Sequence, residues 1–210
     1  MTDGFGISQL VDYLYQMGVR IANLDANSET IELIFHGKNG QWRMVLGFQQ
    51  HDDVRKLMLV VPHIGTVTTN KRLECLEALL AVNYRIAMGK FGLDLDDGEV
   101  RLEESVPLAR DSITKEQFRL AFGALMQTVA MYHNLIPRIV YGNMTTQQAL
   151  QACEQDFFQQ TDSAQRADAP TEMKMLPAGT QDGPGITSEL DVNDVLAEAV
   201  RILEEEKGQA

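Results

Sequence analysis

Asp94-Leu-Asp96-Asp97-Gly98 is the densest set of oxygen ligands in the chain and invites a calcium reading. An EF-hand loop needs glycine at its sixth position and a bidentate glutamate at its twelfth. Counted from Asp94, Gly98 is fifth and Ser105 twelfth, so the spacing fails. Phe91, Leu93 and Leu95 alternate before these acids and Val100 and Leu102 after them, which reads as a hairpin turn. The four histidines, His36, His51, His63 and His133, show neither HxxxH nor HExxH spacing, so surface or capping roles are expected of them. His133 falls at the end of a helical pattern, where a protonated imidazole would complement the helix dipole. Cys75 and Cys153 have no CxxC partner and sit among apolar neighbours, which predicts buried free thiols rather than a bridge or ligands.

The remaining chemistry-bearing patterns dissolve in the same way. Gly89-Lys-Phe-Gly92 lacks the glycine spacing and the Ser/Thr of a phosphate loop, and no GxSxG is present. Glu103 and Glu104 are neighbours on a strand pattern and point to opposite faces, a poor acid/base pair. Trp42 reads as core rather than as an aromatic cage. Asn143-Met-Thr145 matches a glycosylation sequon, which is irrelevant without export. The expectation is no catalytic set, no metal and no cofactor.

The elements that position these residues can be read from periodicity. Ile7, Leu10, Val11, Leu14 and Met17 repeat at helical spacing up to Gly18. Strands at 29–35 and 41–48 flank Gly37-Lys-Asn-Gly40, a strong hairpin signal, and Arg55 to Val61 supplies a third strand stopped by Pro62. A helix capped by Thr69 or Asn70 then places Leu73, Leu76, Leu80, Asn83 or Tyr84, and Ala87 on one face. Two strands follow around Asp97-Gly98. Thr114 with Gln117 forms a capping box for a helix carrying Phe118, Ala121, Phe122, Leu125, Met126, Val129 and Tyr132, ended by Pro137. A further short helix runs from Thr145 to Phe158. The order is α-β-β-β-α-β-β-α plus an extra helix, with helices and strands segregated, so the class is α+β with an antiparallel sheet.

Charge and composition bound the partners. Against 30 acids there are 18 bases, a net charge of −12 over 210 residues, which disfavours nucleic acid and anionic membrane surfaces. No window carries the ~18 apolar residues of a spanning helix, and the N-terminus lacks a signal-peptide layout, so a cytoplasmic location is expected. All 14 aromatic residues lie between Phe5 and Phe158. Residues 1–158 therefore read as one domain. Residues 159–186 read as a flexible acidic linker, holding three of the six prolines without apolar periodicity. Residues 187–210 read as an amphipathic helix, with Val192, Val195, Leu196, Ala199, Ile202 and Leu203 on one face. Alone such a short helix is marginal, so it is expected to fold only when docked on its own domain or on a partner.

The run from Leu79 to Glu103, LLAVNYRIAMGKFGLDLDDGEVRLE, resembles the central signature of YbjN-domain proteins. Its pieces here are Asn83, Lys90 to Asp94, Asp97 to Val100, Pro107 and the helix from Thr114, and the resemblance covers roughly residues 5–136. The family is described as bacterial sensory transduction regulators and shares its fold with type III secretion chaperones, which are small, acidic, usually homodimeric proteins that hold an extended segment of a partner. The resemblance implies a non-enzymatic, chaperone-like or regulatory module that dimerises and binds protein segments. Candidate surfaces are the sheet face and the grooves beside Leu73–Ala87 and Phe118–Tyr132, with most of those side chains themselves expected to be core. Two other readings remain open: a small-molecule sensor or enzyme with a pocket between sheet and helices, and a subunit of a larger assembly tethered through its acidic tail helix.

Overall fold

The computed structural model describes residues 5–37, 40–108 and 112–167, with the backbone alone for 160–167. Helix α1 (Ile7–Gln16) leads into strands β1 (Asn23–Asp25), β2 (Thr30–Gly37), β3 (Gly40–His51) and β4 (Val54–Thr66). A 3₁₀ turn (Thr69–Lys71) opens α2 (Arg72–Arg85), followed by β5 (Lys90–Leu93) and β6 (Glu99–Pro107). Three helices close the described chain: α3 (Lys115–Tyr132), α4 (Leu135–Val140) and α5 (Thr146–Ala167). The six strands form one antiparallel sheet in the order β1-β2-β3-β4-β6-β5. The fold is α+β, and the short edge strand β1 and the short helix α4 are additions to the expected order.

Alternation fixes which side of the sheet is covered. Ile31, Leu33, Phe35, Met44, Leu46, Leu57, Leu59, Val61, Val100 and Leu102 are buried, whereas Ile34, Val45, Met58 and Val60 on the opposite side stay partly open. Leu10 and Leu14 of α1 are fully buried, and Tyr13 stacks its ring 6.1 Å from Phe118 while Phe35 meets Phe122 at 5.9 Å. Arg55 ties the N-terminus down. Its guanidinium donates to the Phe5 carbonyl at 2.7 Å, pairs with Glu29 at 3.2 Å and lies 4.4 Å over the Phe48 ring.

Several local expectations change. Pro62 does not stop β4: the strand continues to Thr66 through an irregularity between Val61 and Gly65, where a residue without an N–H removes no ladder bond. His63 in that irregularity has φ 52°, and Glu99 accepts from its backbone N–H at 3.0 Å. Neither Thr69 nor Asn70 caps α2; the 3₁₀ turn supplies the entry and Lys71 precedes the helix without a side-chain cap. The capping box at Thr114 and Gln117 forms in both directions, at 2.9 and 3.2 Å. Helix α3 ends at Tyr132, before Pro137, which sits in the first turn of α4 where its missing N–H costs nothing. Helix α5 continues nine residues past Phe158 to Ala167; residues 159–167 contain neither Gly nor Pro to stop it.

Candidate partner-binding face

The acids of the 94–98 segment are occupied by the turn itself. Asp94 accepts the Asp96 N–H and Asp97 the Glu99 N–H, both at 2.9 Å, while the Asp94 carbonyl takes the Gly98 N–H. Gly98 has φ 78°, and a Cβ there would lie 2.4 Å from the Val67 carbonyl oxygen, so glycine is required twice over. Among the described residues no group of three His, Cys, Asp or Glu side chains is placed to hold a metal.

One cluster the sequence does not announce is assembled by the fold. His133, Arg138, Cys153, Asp156 and Phe157 surround a cavity of about 10 Å³, which is room for about one water. Two buried polar atoms near it, His133 Nε2 and Arg138 Nη1, have no hydrogen-bond partner. A thiol, an imidazole and a carboxylate together suggest nucleophilic catalysis, yet the electrostatics oppose it. Burial pushes the Cys153 thiol up to about 11, against a smaller opposing effect of Arg138, so at neutral pH it is not a thiolate. Burial lowers the pKa of His133, and its Nδ1 lies 3.1 Å from the Ala130 carbonyl, where the neutral ring donates. The imidazole therefore closes the end of α3 by hydrogen bonding rather than by charge, which corrects the dipole expectation. Trp42 meets it edge-on at 5.2 Å and packs on the core. Both cysteines are free and buried.

The surface that stands out is on α2. Its inner arc, Cys75, Ala78, Leu79 and Val82, is buried against the rest of the domain. The face expected to be core is turned outward: Leu73 is 78% exposed, Leu76 39%, Leu80 71% and Tyr84 92%. Steps of three, four and four residues put these four on one stripe opposite the buried arc. Glu77 is the charged neighbour within it. The small Cys75 and Ala78 let α2 approach the helices behind it, and Leu79 and Val82 beside them fill the core.

Neighbouring elements hold α2 rigidly in place. Asn83 acts as a strand substitute at the sheet edge: its side-chain amide donates to the Phe91 carbonyl at 3.0 Å and accepts the Phe91 N–H at 2.8 Å. Lys90 Nζ donates to the Asn83 and Ile86 carbonyls, both at 3.2 Å. Glu154 of α5 pairs with Arg85 and accepts the Tyr132 hydroxyl at 3.0 Å, and Thr146 donates to the Glu74 carbonyl at 3.2 Å. Burial and the Glu154 charge push the Tyr132 phenol up to about 12. The groove beside Phe118–Tyr132, in contrast, is core: Phe118, Ala121, Phe122, Leu125, Met126, Val129 and Tyr132 are all buried. The tail face of Val192, Val195, Leu196, Ala199, Ile202 and Leu203 lies outside the described residues.

Among the described residues no helix is long and apolar enough to cross a membrane. No curated protein matches the chain. Among solved structures it resembles one described as "Crystal structure of YbjN, a putative transcription regulator from E. coli", at 16% identity and a TM-score of 0.40, covering 60% of this chain and 89% of that one. The sequence profile of the YbjN family, described as "Putative bacterial sensory transduction regulator", matches residues 8–137. That span takes in the fold from α1 through the first turn of α4, including α2 and the Asn83 lock, and the chain belongs to the YbjN family.

Proposed function

We propose that this protein is a non-enzymatic regulatory adaptor that holds a helical segment of a partner protein on the outward face of α2. The observation that carries this reading is the stripe of Leu73, Leu76, Leu80 and Tyr84, left in water on a helix anchored by the Asn83 lock and by α5. Burying each large apolar side chain is worth roughly 1.5–3 kcal/mol, so the stripe has a strong drive to be covered. Its spacing matches an amphipathic helix laid alongside. The raised thiol and the water-sized cavity beside His133 speak against the sensor-or-enzyme alternative at that cluster. The reading includes a homodimer, which the partly open apolar residues Ile34, Val45, Met58 and Val60 on the uncovered sheet face support.

The test is affinity capture from the native cells with the tagged full-length chain, beside a Leu80→Glu, Tyr84→Glu variant and a Tyr15→Glu control. Tyr15 is 83% exposed and lies on α1, off the stripe. A partner retained by the control and lost with the α2 variant is the expected result. Equal capture by all three would remove α2 as the docking face. Light scattering of the pure protein should give twice the 23.5 kDa chain mass.

A further inference from the structure

We propose that the chain's own C-terminal segment, residues 192–203, seats on the outward face of α2, antiparallel to it, and so competes with partners for that face. The inference rests on the reading of this face as a seat for an amphipathic helix, and it names an occupant. Four observations carry it. First, the two stripes match in length: Leu73 to Tyr84 and Val192 to Leu203 each cover eleven residue steps, about 16 Å at the helical rise. Antiparallel alignment puts Leu203 by Leu73, Leu196 by Leu80 and Val192 by Tyr84.

Second, the charges at the two ends correspond. Lys71, which pairs with Glu74 at 3.6 Å, and Arg72, whose Nη2 donates to the Leu95 carbonyl at 3.1 Å while its buried Nε has no partner, stand at the start of α2. Glu204, Glu205 and Glu206 would arrive there, beside the positive end of the α2 dipole. That placement offsets the penalty these acids carry at the C-terminal end of their own helix. At the other end Asp191 would come to Arg85 and Lys90, which already face Glu154 and the α2 carbonyls respectively. A parallel arrangement would bring Glu204 to Glu206 to Arg85 and Lys90, which Glu154 and the α2 carbonyls already occupy, and to the negative end of the α2 dipole.

Third, the path closes. Thr146 touches Glu74 and Glu154 touches Arg85, so α5 runs beside α2 in the same direction. From Glu154 to Ala167 the helix continues about 20 Å beyond the end of α2. A chain that turns back from Ala167 meets α2 at its C-terminal end, which is where an antiparallel tail must begin. Fourth, the 24 residues between Ala167 and Val192 have an r.m.s. span of roughly 24–29 Å, enough for that return without strain.

The test is a disulfide trap in the full-length chain. A variant carrying Leu80→Cys and Leu196→Cys is oxidised mildly, beside a control carrying Leu73→Cys and Leu196→Cys, and both are read by mass on non-reducing gels. The native Cys75 and Cys153 are buried and do not compete. A bridge at monomer mass in the first variant, forming at least tenfold faster than in the control, is the expected result. A bridge at dimer mass would overturn tail seating within one chain, while the face would still stand as a helix seat. No bridge at all would also overturn it, and the capture experiment above then decides separately whether the face binds a partner. A Leu196→Glu, Ile202→Glu variant of the full chain should capture several-fold more partner than the native chain. Unchanged capture would contradict competition.

Discussion

Replacing Asn83 with alanine should loosen the sheet edge without touching the core. The side-chain amide is the only strand-like neighbour described for the outer edge of β5, and it makes two hydrogen bonds to Phe91, at 2.8 and 3.0 Å. Phe91 itself is 6% exposed, so its freed N–H and carbonyl would be poorly hydrated. An unsatisfied buried backbone group costs about 1–3 kcal/mol. Asn83 is only half-buried and some water will reach the gap, so the lower end applies to both groups, about 2 kcal/mol in total. For a chain of this size that corresponds to a fall of roughly 4–8 °C in Tm. The assay is thermal unfolding followed by circular dichroism, paired with amide hydrogen exchange. Exchange at Phe91 should accelerate by at least an order of magnitude while Leu46, in the middle of the sheet, keeps its protection until global unfolding. An unchanged Tm together with unchanged exchange at Phe91 would refute the strand-substitute role of Asn83.

Three further outcomes follow from the same geometry. Gly98→Ala should destabilise by about 1–3 kcal/mol from backbone conformation alone, with the clash on the Val67 carbonyl in addition, whereas Gly92→Ala, with nothing within 4 Å of its added Cβ, should stay within about 0.5 kcal/mol of the native chain by denaturant titration. Because burial holds His133 neutral in the fold, the unfolded chain binds the extra proton, so stability should fall as pH drops below about 6.5; a His133→Gln variant should lose that component, and identical pH–stability curves would contradict it. Cys75 and Cys153, both with thiols raised by burial, should resist alkylation at neutral pH in the native protein and react fully in denaturant; rapid native labelling of Cys153 would show that its site opens.

Much of the fold was legible because its punctuation is chemical. The Thr114–Gln117 box, Gly18 at φ 71° and Gly98 at φ 78° mark boundaries that the backbone obeys. The misreadings arose where tertiary packing decides. Pro62 looked like a stop, yet an irregularity in β4 absorbs it. Pro137 looked like the end of α3, yet it begins a new turn. On α2 both faces carry apolar residues, so hydropathy alone did not separate the outward Leu73, Leu76 and Leu80 from the buried arc of Cys75, Ala78, Leu79 and Val82; packing against the rest of the domain chose the latter. The His133–Arg138–Cys153 cluster could not be read from spacing, because α3, α4 and α5 must first fold together to assemble it.

The central claim, that an amphipathic helix covers the outward face of α2, is tested most directly by the solvent access of position 80 in the full-length chain. The measurement is the rate of maleimide labelling of a Leu80→Cys variant beside a Tyr15→Cys control; in the structure the two native positions are 71% and 83% exposed. With the face covered in solution, labelling at position 80 should be at least tenfold slower than at position 15 and should recover when Leu196→Glu is added. Equal rates at the two positions would contradict seating of the chain's own tail on α2.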